Sequence, residues 1–252
     1  MPRHRAIIIG AGRIGCGYDW PPTPYLYTHA DAYKALKGRT NLVAVVEPDL
    51  KRLTFAEDKY NVKGYIDLEE AIRTEDPEII SICTPPETRR GIYETLAKFT
   101  KTFGLWIEKP LACRDFASLW TRRIPKVVVN YTRRFDELHR AIRLLGPDLR
   151  RSRLVVHAKK DVHTVCHFTD LARFWGIEPG NLEYKPHNGP CSYQLVLPSG
   201  NRIDFPRGGV SGDFMTCALH NLLDAVGDRT HTDSPAGNAI ESEVWADQIL
   251  KG

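Results

Sequence analysis

The sequence predicts an α/β protein of two domains: a doubly wound parallel sheet, then a smaller α+β domain with a mixed or antiparallel sheet. Three observations carry this. Short, apolar, β-branched runs alternate with amphipathic stretches through the first half of the chain. A glycine-rich turn follows the first of those runs. Further on, strand-like runs come consecutively and the helical stretches gather apart from them, which places the expected boundary between residues 1–133 and 134–252.

The elements follow in order. Ala6 to Ile9 reads as a short buried strand closed by Gly10-Ala11-Gly12-Arg13-Ile14-Gly15. Thr28 to Leu36 has helical spacing, and Asn41 to Val46 is too short and too β-branched for anything but a strand. Lys51 to Tyr60 and Asp67 to Arg73 read as helices, the second with Asp67 as a plausible N-cap. Ile79 to Cys83 is a third buried strand, stopped by Thr84-Pro85-Pro86, and a helix is expected over Thr88 to Phe99. Leu105 to Ile107 and Lys126 to Asn130 complete the first sheet. In the second half, helices are expected over 136–145, 168–175, 214–226 and 236–250, and strands over 153–158, 192–197 and 202–205. Pro198-Ser199-Gly200-Asn201 joins the last two strands as a hairpin.

Composition narrows the partners. Lys and Arg total 35 against 31 Asp and Glu, and the resulting +4 is scattered as short basic pairs rather than gathered on one face. Bulk nucleic-acid binding is not expected. No run approaches the roughly 20 apolar residues of a membrane helix, and the N-terminus lacks a signal-peptide pattern. Six cysteines without CxxC spacing suit free thiols in a reducing compartment, so a cytoplasmic location is expected. His163 and His167 stand four apart, but without a further cysteine or histidine cluster no metal is expected.

The glycine turn is the first functional signal. After a buried strand, Gly10 permits the tight turn, Gly12 lets backbone approach a pyrophosphate, and Gly15 lets the next helix pack closely, with Arg13 and Ile14 between them. That is the dinucleotide-binding pattern of a Rossmann domain. Glu47 ends the second strand, where a carboxylate accepts from the adenine-ribose hydroxyls and repels a 2′-phosphate. NAD is therefore expected in preference to NADP. One feature departs from the pattern: residues 16–27 intervene before the next helix, with Pro21, Pro22 and Pro24 forbidding a continuous one. This insert carries Tyr18, Trp20, Tyr25, Tyr27 and Asp19, and suits either a lid over the nicotinamide or a subunit contact.

Four further segments add a specific likeness: Thr84-Pro85-Pro86, Glu108-Lys109-Pro110, Asn130-Tyr131-Thr132-Arg133-Arg134-Phe135, and Cys166-His167-Phe168-Thr169-Asp170. In this order the chain resembles the Gfo/Idh/MocA oxidoreductases, the glucose–fructose oxidoreductase and inositol dehydrogenase family. The likeness runs over nearly the whole chain, with a shortened second domain. It implies that Thr84 and Pro85 line the cofactor cleft, that Glu108 faces the nicotinamide ribose, and that the bond before Pro110 is cis. It also implies that Lys109 contacts the reacting hydroxyl as proton shuttle and that His167 faces the substrate. Tyr131, Arg134 and Asp170 are implied as further substrate contacts. A lysine there suits the chemistry, because oxidising an alcohol leaves a proton for a base.

Two departures bear on this reading. The family's second-domain motif reads Asp-x-Gly-x-His-x-x-Asp, and here the Asp and Gly positions hold His163 and Val165. Either His163 serves as proton carrier or substrate ligand, or the site is altered or dead. Where the family often has His after Thr-Pro, this chain has Arg89, which suits an acidic substrate group or a solvated helix face. The expected function is an NAD-dependent dehydrogenase acting on a sugar, cyclitol or nucleotide-linked sugar. The alternatives are an NAD-binding regulatory or scaffold protein without turnover, or epimerisation or elimination through transient oxidation. A homodimer or larger is expected, because alternation of Tyr193, Leu195 and Leu197 suggests an uncovered apolar sheet face.

Overall fold

A computed structural model describes residues 3–21, 27–101, 103–120, 125–205, 214–228 and 231–251. The middle of the insert, residues 22–26, lies outside them, and so does the expectation attached to it.

The elements are β1 (His4–Ile9), α1 (Arg13–Cys16), α2 (His29–Ala35), β2 (Thr40–Val46), α3 (Leu50–Tyr60), β3 (Lys63–Tyr65), α4 (Leu68–Glu75), β4 (Ile79–Ile82), α5 (Pro86–Ala97), β5 (Gly104–Ile107) and β6 (Lys126–Val129). There follow α6 (Glu137–Arg143), α7 (Pro147–Arg151), β7 (Arg153–Ala158), α8 (Val162–Trp175), β8 (Leu182–Pro186), β9 (Ser192–Val196), β10 (Arg202–Phe205), α9 (Phe214–Asp228) and α10 (Ala236–Lys251).

Strands β1 to β6 form one parallel sheet in the order β3-β2-β1-β4-β5-β6. Its centre is largely apolar: Ile7, Ile8, Ile79, Ile80, Leu105 and Trp106 have no solvent exposure. The strand order reverses between β1 and β4, and in such sheets the crevice beyond the carboxyl ends at that point is where ligands bind. Gly10, Glu47, Thr84, Glu108 and Asn130 all follow directly on the ends of strands or one residue beyond them.

Contacts divide the chain at two places rather than one. The first unit is residues 1–130 with 215–236, and the second is 131–214 with 237–252. This corrects the expected single boundary after residue 133. The reason is α9, which packs against the first unit: Val226 and Leu222 cover Gly104, and Asp224 accepts from Arg39 Nη2 at 2.7 Å.

In the second unit the sheet order is β10-β9-β7-β8. The β7–β8 pair is parallel and the β9–β7 and β10–β9 pairs are antiparallel. Val196 pairs with Arg202 across the expected hairpin. Tyr193 and Leu195 do not face outward. They join Leu154, Val156, Phe168, Leu171 and Trp175 in the core of this unit. The apolar alternation therefore builds the unit's own interior, and the sequence argument for a homo-oligomer loses its premise. Helix α8 starts six residues earlier than expected because Asp161 caps it, accepting from Thr164 N at 2.9 Å.

The insert breaks what would be one helix. α1 is four residues long and ends at Gly17 in the left-handed region (φ +78°). The carbonyl of Cys16 accepts from Lys59 Nζ (3.1 Å) and Tyr60 Oη (3.0 Å) of α3. The chain re-enters helix at Thr28, whose side chain caps α2 by accepting from Asp31 N. A Cβ placed on Gly17 would lie 3.4 Å from Thr28 Cγ2.

Candidate active site

A cavity of about 680 Å³ lies in the first unit, along the carboxyl ends of its central strands. One end is walled by Glu47, Pro48, Arg52, Ile66 and Leu68, the middle by Gly10, Gly12 and Ile14, and the other end by Thr84, Arg89, Glu108 and Lys109. This volume suits a cofactor-sized ligand.

Two glycines shape the turn. Gly10 has φ +98° with the Cys83 carbonyl carbon 3.0 Å from where its Cβ would be, and a Cβ on Gly15 would meet Gly10 O at 2.0 Å. A Cβ on Gly12 would instead meet nothing within 4 Å among the described residues, so this side of its backbone is open to the cavity. Of the residues expected to bind cofactor, Gly10, Gly12, Ile14, Glu47, Thr84, Pro85 and Glu108 line the cavity. Gly15 packs behind the turn, and Arg13 is exposed at the start of α1. Thr84 Oγ1, on the cavity wall, is buried without a hydrogen-bond partner among the described residues. An orphaned hydroxyl, an open glycine backbone and a carboxylate at the far end together fit a dinucleotide.

Glu47 is more engaged than the sequence suggested. Its Oε2 accepts from Ala11 N (2.8 Å) and its Oε1 from Asp49 N (3.1 Å), so it braces the glycine turn as well as facing the cavity. Arg52, which the sequence reading passed over, stands on the same wall, its guanidinium carbon 5.7 Å from the Tyr18 ring centre.

At the opposite end, the Lys109–Pro110 bond is cis and Lys109 is half-buried on the cavity wall. Glu108 beside it is held by residues the sequence did not flag. Its Oε1 accepts from His29 Nε2 (3.1 Å) and Asn130 Nδ2 (2.5 Å). His29 Nδ1 in turn accepts from Ser81 Oγ (3.0 Å), which Tyr33 Oη meets at 2.9 Å. The carboxylate can only accept, which fixes the imidazole tautomer. Burial resists charge on Glu108, but the donors around it hold its carboxyl below the usual range. Burial drives the His29 imidazole below its ordinary value, so it stays neutral.

Arg89 is buried on the cavity wall rather than solvated. It is 2% exposed, and its Nε and Nη2 donate to Thr84 O (3.0 and 2.7 Å). Its Nη1 donates to the carbonyls of Glu108 and Pro110, so one guanidinium ties the Thr-Pro turn to both sides of Lys109.

In the second unit, α8 carries an exposed His163 and a part-buried His167 one turn apart on one face. The Tyr131 ring meets His167 edge-on, with centres 5.9 Å apart. Arg134 and Asp170, expected to face substrate, meet each other instead. Arg134 Nε and Nη2 donate to the two oxygens of Asp170 at 2.7 and 2.8 Å, and Ser242 Oγ donates to Asp170 Oδ1 at 3.3 Å. The pair is buried. That burial pushes the Asp170 carboxyl up against the opposing pull of Arg134.

Residues 4–121 match the family model described as oxidoreductase family, NAD-binding Rossmann fold (GFO_IDH_MocA). This NAD-binding domain belongs to the Gfo/Idh/MocA oxidoreductases. No curated protein matches the sequence significantly. Solved structures match in fold across nearly all of the chain. UDP-N-acetylglucosamine 3-dehydrogenase GnnA from Acidithiobacillus ferrooxidans aligns with TM-score 0.74 at 15% identity, covering 100% of this chain and 98% of that one. Apo scyllo-inositol dehydrogenase from Lactobacillus casei aligns with TM-score 0.70 at 12% identity, covering 99% and 95%. GenD2 from gentamicin A biosynthesis, solved in complex with NAD, aligns with TM-score 0.73 at 13% identity, covering 98% and 93%. Among the described residues, no helix is long and apolar enough to cross a membrane.

Proposed function

We propose that the chain is an NAD-dependent dehydrogenase acting on a secondary hydroxyl, or the matching ketone, of a sugar, cyclitol or nucleotide-linked sugar, with Lys109 as proton carrier. The observation that carries the proposal is that Lys109 lines the same cavity as the glycine turn, Glu47 and Thr84. Nicotinamide, when bound, supplies the hydride acceptor or donor. The chain supplies the rest. The glycine turn and Thr84 hold the dinucleotide, and Glu47 takes the adenine-ribose hydroxyls. Lys109 Nζ receives the hydroxyl proton as the carbon–oxygen bond becomes a carbonyl, and returns it in the reverse direction. The guanidinium of Arg89, donating to the carbonyls of Glu108 and Pro110, keeps Lys109 at the wall. The sugar class follows what GnnA and scyllo-inositol dehydrogenase are named for.

The test is NADH formation across a panel of nucleotide sugars, free sugars and inositols, followed by Lys109→Ala on the best substrate. Turnover should fall by about 100-fold or more while NADH affinity is kept. Product without accumulating NADH would assign transient oxidation instead. NAD binding with no product from any member of the panel would favour a regulatory role. Unchanged turnover in Lys109→Ala would remove the lysine from the chemistry.

A further inference from the structure

The buried polar groups of the first unit hold one arrangement that the proton chemistry of Lys109 does not use. His29 has no solvent exposure, packs on Trp106 with ring centres 3.7 Å apart, and sits 79 residues from Glu108 in sequence. Both of its nitrogens are committed, one to Ser81 and one to Glu108. His29 and Asn130 donate to the same oxygen, Glu108 Oε1, and Asn130 is anchored further by Met215 Sδ at 3.4 Å. The other oxygen, Oε2, accepts no hydrogen bond among the described residues. The side chain is 11% exposed, on the wall of the cavity. A carboxylate oxygen carries two lone pairs, so a donor fits there.

We propose that His29 is a positioning residue for the cofactor: with Asn130 it engages one oxygen of Glu108, so that the other is presented to a donor group on the nicotinamide riboside half of NAD. This deepens the NAD reading of the cavity and rests on it. The turn of the carboxylate is what His29 sets. Without the imidazole N–H, Oε1 keeps only the Asn130 amide and the group rotates about its last bond. Trp106 forms the floor that keeps the imidazole edge-on to both partners, and Ser81, backed by Tyr33, fixes which nitrogen bears the hydrogen.

The test reads binding, not turnover, so that failure of the Lys109 chemistry leaves it untouched. NADH affinity is measured by fluorescence and ADP affinity by calorimetry, in the full chain. ADP lacks the nicotinamide riboside, so it reports the other half of the cavity. His29→Leu, which keeps apolar packing against Trp106 but removes the donor, should weaken NADH roughly tenfold, the scale of one hydrogen bond to a charged group. ADP should change less than about twofold. His29→Gln, which restores an N–H toward Glu108, should recover most of the NADH affinity. In the Glu108→Gln background, His29→Leu should add little, because the two act through one group. Equal loss for NADH and ADP, no rescue by glutamine, or full additivity with Glu108→Gln would each overturn the proposal and leave His29 a packing residue.

Discussion

Each unit of this chain buries an imidazole between a carboxylate and a hydroxyl, and the two arrangements do different work. In the first unit, His29 links Glu108 to Ser81 and Tyr33. In the second, His139 links Asp136 (2.6 Å) to Tyr193 Oη (2.6 Å), its ring beside those of Trp175 and Phe205. The chemistry is nearly the same; the surroundings are not. The Asp136 and His139 side chains have no exposure at all, whereas the Glu108 side chain borders a cavity and keeps one oxygen without a partner among the described residues. A buried acid–imidazole pair becomes a binding device when a lone pair is left over beside open space. Enclosed, it is architecture.

The second unit offers the largest effect. If its buried polar pairs are architecture, Asp170→Ala should strand Arg134 and cost about 3–5 kcal/mol of stability by urea denaturation. NADH affinity, set in the first unit, should stay within about twofold. Loss of turnover in Asp170→Ala with unchanged stability would break the comparison and return this pair to the substrate.

Acid sharpens it next. Both His29 and His139 have their imidazoles pushed down by burial and remain neutral in the fold. Below about pH 6.5 the unfolded chain takes up protons that the folded chain refuses, so stability falls as pH falls. Each imidazole contributes a slope of up to about 1.4 kcal/mol per pH unit between its unfolded and folded values. Melts between pH 7 and 5 should show this slope, and His29→Gln and His139→Gln should each flatten it. If only the His139 variant does so, the two pairs differ in charge as well as in surroundings.

The smallest effect lies at the far end of the cavity. Glu47 should favour NAD over NADP by at least about tenfold, about 1.4 kcal/mol. Glu47→Gln should narrow that gap, since the brace to the glycine turn keeps an acceptor while the charge that repels a 2′-phosphate is gone. Calorimetry showing equal affinities in the unaltered protein would defeat this, and would turn attention to Arg52 on the same wall.

Much of the fold was readable because burial writes itself into composition. β1, β2, β4 and β5 are apolar runs, and no solvated helix looks like Ile79-Ile80-Ser81-Ile82. β3 and β8 escaped notice because both lie at sheet edges, where Lys63-Gly64-Tyr65 and Leu182-Glu183-Tyr184-Lys185-Pro186 carry the polar residues that edges tolerate. The site divided along the same physical line. The glycine turn announces itself through local spacing, and Thr84 and Lys109 through the family likeness of the short segments that hold them. His29 reads only as the first residue of a helix, and its partner is set by sheet order rather than by neighbours in the chain. Arg89 looked like a surface residue because nothing nearby in sequence shows the three carbonyls it ties together. Asp161, followed three residues later by Thr164, was the available sign that α8 starts early enough to carry His163.

The broken first helix has a consequence of another kind. The chain leaves the nucleotide cradle at Gly17 and returns at Thr28 within van der Waals reach of its point of departure. Both ends are tied independently of what lies between them: the outgoing end by Lys59 and Tyr60, the returning end by the Thr28 cap. Chain between adjoining, separately anchored ends can change length cheaply, since each doubling adds only about 0.6 kcal/mol of closure entropy. The two flanks of the cradle are thus held by α2 and α3 themselves. Selection can lengthen, shorten or rewrite the aromatic segment while the glycine turn holds its shape, which makes this the place where close relatives of the chain are free to diverge.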